Sequence, residues 1–115
     1  MTALARPTET ECERTIIAAA HMLGYLVHGS RPATSQKGWR TPLKGDPGFP
    51  DLVITGHNRC FIIELKRKPN RLEPAQLAWI DALHDAGVDV ATWWVPEQQQ
   101  QLIDMLTEYA ARRTS

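Results

Sequence analysis

Asp51, Glu64 and Lys66 are the residues of this 115-residue chain best placed by type and spacing to do chemistry. Two carboxylates and an ammonium brought together can hold a hard divalent cation and a water beside a phosphodiester. Hard oxygen ligands with room for several waters suit Mg²⁺ or Mn²⁺ rather than zinc. No centre of softer ligands competes, because His21, His28, His57 and His84 have no ligand spacing. Cys12 and Cys60, on separate predicted elements, read as reduced packing residues rather than a disulfide framework.

A hairpin must position the three. Residues 51–55 and 60–66 are short β-branched and aromatic runs separated by Gly56-His57-Asn58-Arg59. If His57-Asn58 are the two loop residues, with Asn58 tolerating a positive φ, Gly56 pairs with Arg59, Thr55 with Cys60, and Asp51 falls opposite Glu64. Directly opposed residues hold their Cβ atoms roughly 5 Å apart, where like charges repel, so an apolar hairpin carrying this pair invites a cation. Glu64 and Lys66 project from one face of the strand, while Phe61, Ile63 and Leu65 point to the other and into packing.

The remaining elements follow from periodicity and punctuation. Thr8 or Thr10 caps a first helix to about residue 23, with Cys12, Ile16, Ala19, Ala20 and Leu23 on one stripe and Gly24 ending it. Residues 25–28 form a short strand, and residues 29–48, rich in Gly, Pro, Ser, Thr and Lys, read as a long functional or mobile loop. Pro69-Asn70 breaks the chain before a helix over 73–86, whose buried stripe is Leu77, Ile80 and Leu83. A fourth strand over 89–95 ends at Pro96, and a last helix over 97–112 carries Leu102, Leu106 and Tyr109 on one face. Trp79, Trp93 and Trp94 read as packing residues. The expectation is one domain over 1–115 with its core in 8–96, of mixed α/β (α+β) class and order α-β-β-β-α-β-α: a small mixed sheet flanked by helices.

Thr8-Glu9 opening a helix, Gly48-Phe49-Pro50-Asp51, Glu64-Leu65-Lys66, and Gln76 in the next helix, in that order, resemble the PD-(D/E)XK nuclease superfamily. More narrowly they resemble its VRR-NUC branch, the virus-type replication and repair nucleases. The resemblance runs from Thr8 to about Pro96. It implies a restriction-endonuclease-like core and a metal-dependent endonuclease that cleaves DNA by in-line attack of water. Carried onto this sequence, it implies Asp51, Glu64 and the backbone carbonyl of Leu65 as metal ligands, Lys66 as the residue holding the water, and Glu9 and Gln76 as supports. Glu9 with Cys12 fits the helix-opening pattern, with Glu13 one turn later on the same face as the alternative and Glu11 offering the same charge nearby. Stand-alone members of the branch look like Holliday-junction resolvases that act as homodimers on branched DNA. A flap or single-strand nuclease of phage replication and a non-catalytic DNA-binding module are the other readings. The implied cofactor is Mg²⁺ or Mn²⁺, with no organic cofactor.

The zero net charge hides an uneven distribution. Between Arg31 and Arg71 nine bases face three acids, and the rest of the chain has four bases and ten acids. A basic sector of this kind suits a phosphate backbone, and Lys37, Arg40, Lys44, Arg67, Lys68 and Arg71 are the expected DNA contacts. Trp39 is placed to stack on a base or to anchor the long loop. The amino terminus lacks the apolar core of a secretory signal, and the longest apolar region, 16–27, is interrupted and too short to span a bilayer. No membrane and a cytoplasmic location are therefore expected.

Overall fold

The computed structural model describes residues 5–29 and 44–112. Its elements run α1 (Glu9–Met22), β1 (Leu26–Gly29), β2 (Leu52–Gly56), β3 (Arg59–Lys66), α2 (Pro74–Asp85), β4 (Val90–Trp94) and α3 (Gln99–Arg112), the order expected from the sequence. The strands form one mixed sheet in the order β1-β2-β3-β4, antiparallel except for the β3–β4 pair. A parallel pair needs a crossover, and α2 supplies it.

The β2–β3 register is the one the two-residue loop requires, with Gly56 opposite Arg59, Thr55 opposite Cys60 and Leu52 opposite Ile63. His57 and Asn58 both have positive φ, 50° and 63°, as a type I′ turn demands. Such a conformation is uncommon for a residue with a side chain, and here the histidine ring is anchored. Its Nε2 donates to the Leu23 carbonyl at 2.7 Å, and its edge meets Tyr25 with the ring centroids 4.8 Å apart.

α1 starts at a reciprocal cap. Thr8 Oγ1 accepts the Glu11 N–H at 3.0 Å and Glu11 Oε1 accepts the Thr8 N–H at 2.8 Å, an arrangement worth about 1 kcal/mol. The lead into the helix is tied at two further points. Arg67 Nε donates to the Pro7 carbonyl at 2.9 Å, and Arg6 pairs with Glu97 at 2.9 Å. These contacts set where Glu9, the first residue of α1, stands.

The core lies between the sheet and the α1–α3 pair. Phe61, Ile63 and Leu65 of β3 and Leu52 and Ile54 of β2 pack with Cys12, Ile16 and Ala20 of α1 and Leu102 and Leu106 of α3. Each fully buried large aliphatic side chain stabilises the fold by roughly 1.5–3 kcal/mol. The Tyr25 hydroxyl, buried among them, is satisfied by the Leu106 carbonyl at 2.7 Å.

Two expectations need correction. The stripe of α2 is not buried: Leu77 is 42% exposed, Ile80 and Leu83 are half-buried, and no residue of the helix is fully covered. α2 leans on β4 at the other face of the sheet from α1 and α3, and that face carries Glu64 and Lys66 beside Ile62 and Val53. Cys60 is exposed, so only Cys12 is a packing cysteine. Tyr109 packs against the core beside the buried Leu102 and Leu106, as expected, and carries arginine side chains on its ring. Among the described residues, no helix is long and apolar enough to cross a membrane.

Candidate active site

Asp51 stands one residue before β2, where extending the β2–β3 register places it opposite Glu64. Instead of continuing the ladder, its Oδ2 accepts the Leu65 N–H at 2.8 Å. The even-numbered residues of β3 bond to the β4 side, as Ile62 N–H to the Asp89 carbonyl and Lys66 C=O from the Val95 N–H show. Leu65 therefore faces β2, where the same register puts Pro50 opposite it. Proline has no N–H, so the Leu65 carbonyl meets no backbone donor at that position and is available to a ligand.

The segment before Asp51 is pressed against the first turn of α2. Gly48 has φ +98°, and a Cβ there would come within 2.6 Å of the Ala75 carbonyl group, so no side chain fits. The next residue, Phe49, sets its ring edge-on to Trp79 with centroids 5.0 Å apart. This contact fixes the path into Asp51 and brings Gln76 over Glu64. Gln76 Oε1 accepts the Glu73 N–H at 2.8 Å and its Nε2 donates to Glu64 Oε2 at 3.1 Å. Both ends of the amide are used, which assigns its orientation.

Glu64 is 2% exposed, and among the described residues no donor reaches its Oε1. Burial pushes its pKa up to about 8, the charges of Asp51 and Glu9 push the same way, and Lys66 opposes them. Asp51 is also raised by burial, offset by the Leu65 N–H and by Lys66. Glu9 is raised by burial and then by the charge of Asp51, with Lys66 and the Arg67 backbone opposing. Three acids thus share one field. Two anionic carboxylates side by side with one buried oxygen unserved need either a shared proton or a cation.

Asp51, Glu64 and the Leu65 carbonyl offer hard oxygens, as Mg²⁺ or Mn²⁺ requires. Among the described residues no three His, Cys, Asp or Glu side chains stand together so as to hold a metal ion by themselves. The set therefore fits an ion that keeps several waters and takes one or two carboxylates, the habit of Mg²⁺, rather than one wrapped by protein.

The structure brings together Glu9, Asp51, Glu64, Lys66 and Gln76. The charge of Glu9 reaches Asp51 and Glu64, while Glu11 is spent on the cap. Glu13 is half-buried further along α1. Lys44, Lys68 and Arg71 are exposed and Arg67 is half-buried, its Nε engaged by Pro7. Lys37, Arg40 and Trp39 lie outside the described residues. Sequence reasoning missed the Arg67–Pro7 tie and the Leu65–Asp51 bond. Only Pro50, a proline at the ladder position opposite Leu65, could have signalled the second.

Residues 26–97 match the VRR-NUC domain family, a span that includes Asp51, Glu64, Lys66 and Gln76. The chain belongs to the VRR-NUC family. A solved structure described as a VRR_NUC domain superposes on this VRR-NUC chain with a TM-score of 0.62, covering 84% of this chain and 94% of that one. At 21% sequence identity the likeness is one of fold. No curated protein matches the chain in sequence. VRR-NUC membership implies a nuclease-type function, with the PD-(D/E)XK nucleases as the wider context. Glu9 lies outside the matched span, so its place in the site rests on geometry.

Proposed function

We propose that the chain is a Mg²⁺- or Mn²⁺-dependent endonuclease that hydrolyses DNA phosphodiesters, takes branched DNA of the Holliday-junction type and works as a homodimer. The observation that carries the reading is the meeting of Asp51 and Glu64 beside Lys66, with one buried oxygen of Glu64 that no donor among the described residues reaches. Asp51, Glu64 and the Leu65 carbonyl would hold the cation, which when bound supplies Lewis acidity at the phosphate and acidifies water.

The chain's own groups do the rest. Lys66, two residues from Glu64 on the same face, attracts and orients the attacking water and favours its hydroxide, a task for a compact ammonium rather than a guanidinium. Gln76 fixes one oxygen of Glu64 and so aims the other. Glu9 adds negative charge near Asp51. Lys44, Lys68 and Arg71, all exposed, would contact the phosphate backbone.

A second copy would give two sites for two strands. Trp93 and the α3 stripe are taken up by the chain's own core. The apolar surface open to a second copy is then the partly exposed α2, with Leu77 and a hollow of about 440 Å³ beside Trp79, or the exposed Met22 and Leu26.

The test is cleavage of labelled four-way junction, flap, nicked, single-stranded and linear DNA with Mg²⁺, Mn²⁺ or chelator, alongside sedimentation. A dimer that cuts junctions first supports the reading. A monomer that cuts linear DNA equally well reduces it to a general nuclease, and preference for flaps or single strands selects the replicative alternative. DNA binding without any cleavage identifies a non-catalytic module.

A further inference from the structure

The turn of the β2–β3 hairpin gathers basic groups that the carboxylate site does not use. Arg59 Cζ lies 4.0 Å from the Tyr109 ring centroid and Arg112 Cζ lies 4.9 Å from the same ring. With His57 and Asn58 these residues line a hollow of about 360 Å³. We propose that Arg59, Arg112 and Asn58 form a phosphate-binding site that takes a second segment of nucleic acid, separate from the one at the carboxylates. The source of that phosphate as nucleic acid rests on the nuclease reading above.

A guanidinium stacked on an aromatic ring spends its face on the π-system and keeps its N–H edge outward. That edge is the fork that grips a phosphate with two parallel bonds. Among the described residues no carboxylate pairs with Arg59, while Arg112 meets Glu108 at 3.4 Å with both side chains 62% exposed, a weak pair in water. Arg59, with its face on the ring and no carboxylate partner among the described residues, keeps its positive charge for an anion to neutralise, and Arg112 on the same ring adds to the local positive field. His57 forms a wall rather than a ligand, because its Nε2 is committed to Leu23.

Position argues for a separate segment. Arg59 shares the core face of β3 with Phe61, whereas Glu64 and Lys66 project from the other face. Arg59 and Lys66 are seven residues apart along the strand, roughly 23 Å at the usual rise. A straight duplex seated on the carboxylates does not also lie on the opposite face at the opposite end. A diverging arm of branched DNA can.

The test is binding, measured by anisotropy in chelator so that nothing is cut, with the full chain and its Arg59→Gln, Arg59→Lys and Arg112→Gln variants. The probes are a labelled four-way junction, a 10-base-pair linear duplex and inorganic phosphate as competitor. Arg59→Gln is expected to weaken junction binding fivefold or more and to lower the salt slope by about 0.9 for each phosphate no longer neutralised. Binding of the short duplex should be unchanged, and Arg59→Lys should recover part of the affinity. Should Arg59→Gln fail to fold by circular dichroism, Arg112→Gln gives the same readout.

Wild-type affinity for both DNAs in folded variants would overturn the site. So would an equal weakening on both DNAs, no DNA binding by the wild type, or displacement of the junction by millimolar phosphate alone. Arg59-dependent junction binding by a wild-type protein that cuts nothing with Mg²⁺ would remove the nuclease reading and leave this site standing.

Discussion

On one face of β3, Phe61, Ile63 and Leu65 are 1–2% exposed against α1 and α3; on the other, Glu64 is buried just as deeply under a helix that has no buried residue of its own. Equal burial has opposite energetic signs on the two faces. At Ile63 it removes apolar surface from water and stabilises the fold. At Glu64 it strips water from a carboxyl that has, among the described residues, one hydrogen-bond donor for two oxygens, and it costs stability until a proton or a cation arrives. The strand is held by one face and does its chemistry on the other.

Breaking the polar face should show the largest effect, and on activity alone. Asp51→Asn, Glu64→Gln and Lys66→Ala are each expected to lower cleavage by at least about a hundredfold, with DNA binding largely kept and Tm not lowered in Glu64→Gln. Single-turnover cleavage of a labelled substrate beside a melting curve measures both. Full activity in any of the three removes that residue from the site, and a collapse of Tm in Glu64→Gln would mean the face is structural after all.

Breaking the apolar face should do the reverse. Ile63→Ala is expected to cost about 2–5 kcal/mol of unfolding free energy. Leu77→Ala on the exposed side of α2 is expected to change it by no more than about 0.5 kcal/mol in the monomer. Urea unfolding of the two variants checks the contrast, and an equal loss of stability would place α2 in the core, as its apolar period suggests.

That contrast also marks what was legible in the sequence. The hairpin, its register and the meeting of Asp51 with Glu64 could be read, because strand parity and a two-residue loop leave one solution. Gln76 could be placed in the first turn of its helix, yet its two hydrogen bonds, from the Glu73 N–H and to Glu64, could not, since they depend on how closely Gly48 lets the chain approach Ala75. The stripe of Leu77, Ile80 and Leu83 has helical period, but period reports amphipathicity and not what covers the face. Glu9, Glu11 and Glu13 are alike in sequence and were separated by the Thr8 cap, which occupies Glu11, and by the Arg67–Pro7 tie, which sets Glu9.

The pH dependence of stability sharpens the comparison further. Glu64 has a higher pKa folded, about 8, than its ordinary 4.5, so the folded state holds the proton more tightly than the unfolded chain. Its contribution is fully present below about pH 4.5 and is lost as pH rises through about 8. Metal-free protein should therefore melt lower at pH 8 than at pH 5 by more than Glu64→Gln does, and Mg²⁺ or Mn²⁺ should return most of the difference at pH 8. Parallel profiles for the two proteins would show that Glu64 is not the group responsible.

The smallest effect tests how the two faces are joined, through the start of α1. Thr8→Ala removes the oxygen that accepts the Glu11 N–H and should cost about 1 kcal/mol, well below Ile63→Ala. The helix persists because Cys12, Ile16 and Ala20 hold it to the core, but its first turn, with Glu9 in it, loosens. If Glu9 serves the site, cleavage should fall in Thr8→Ala by a similar factor as in Glu9→Gln, and the double variant should fall little further than the worse single, since both act through one side chain. Additive effects would mean that the cap matters for another reason, and undiminished cleavage in Glu9→Gln would leave Asp51, Glu64 and Lys66 as the working set.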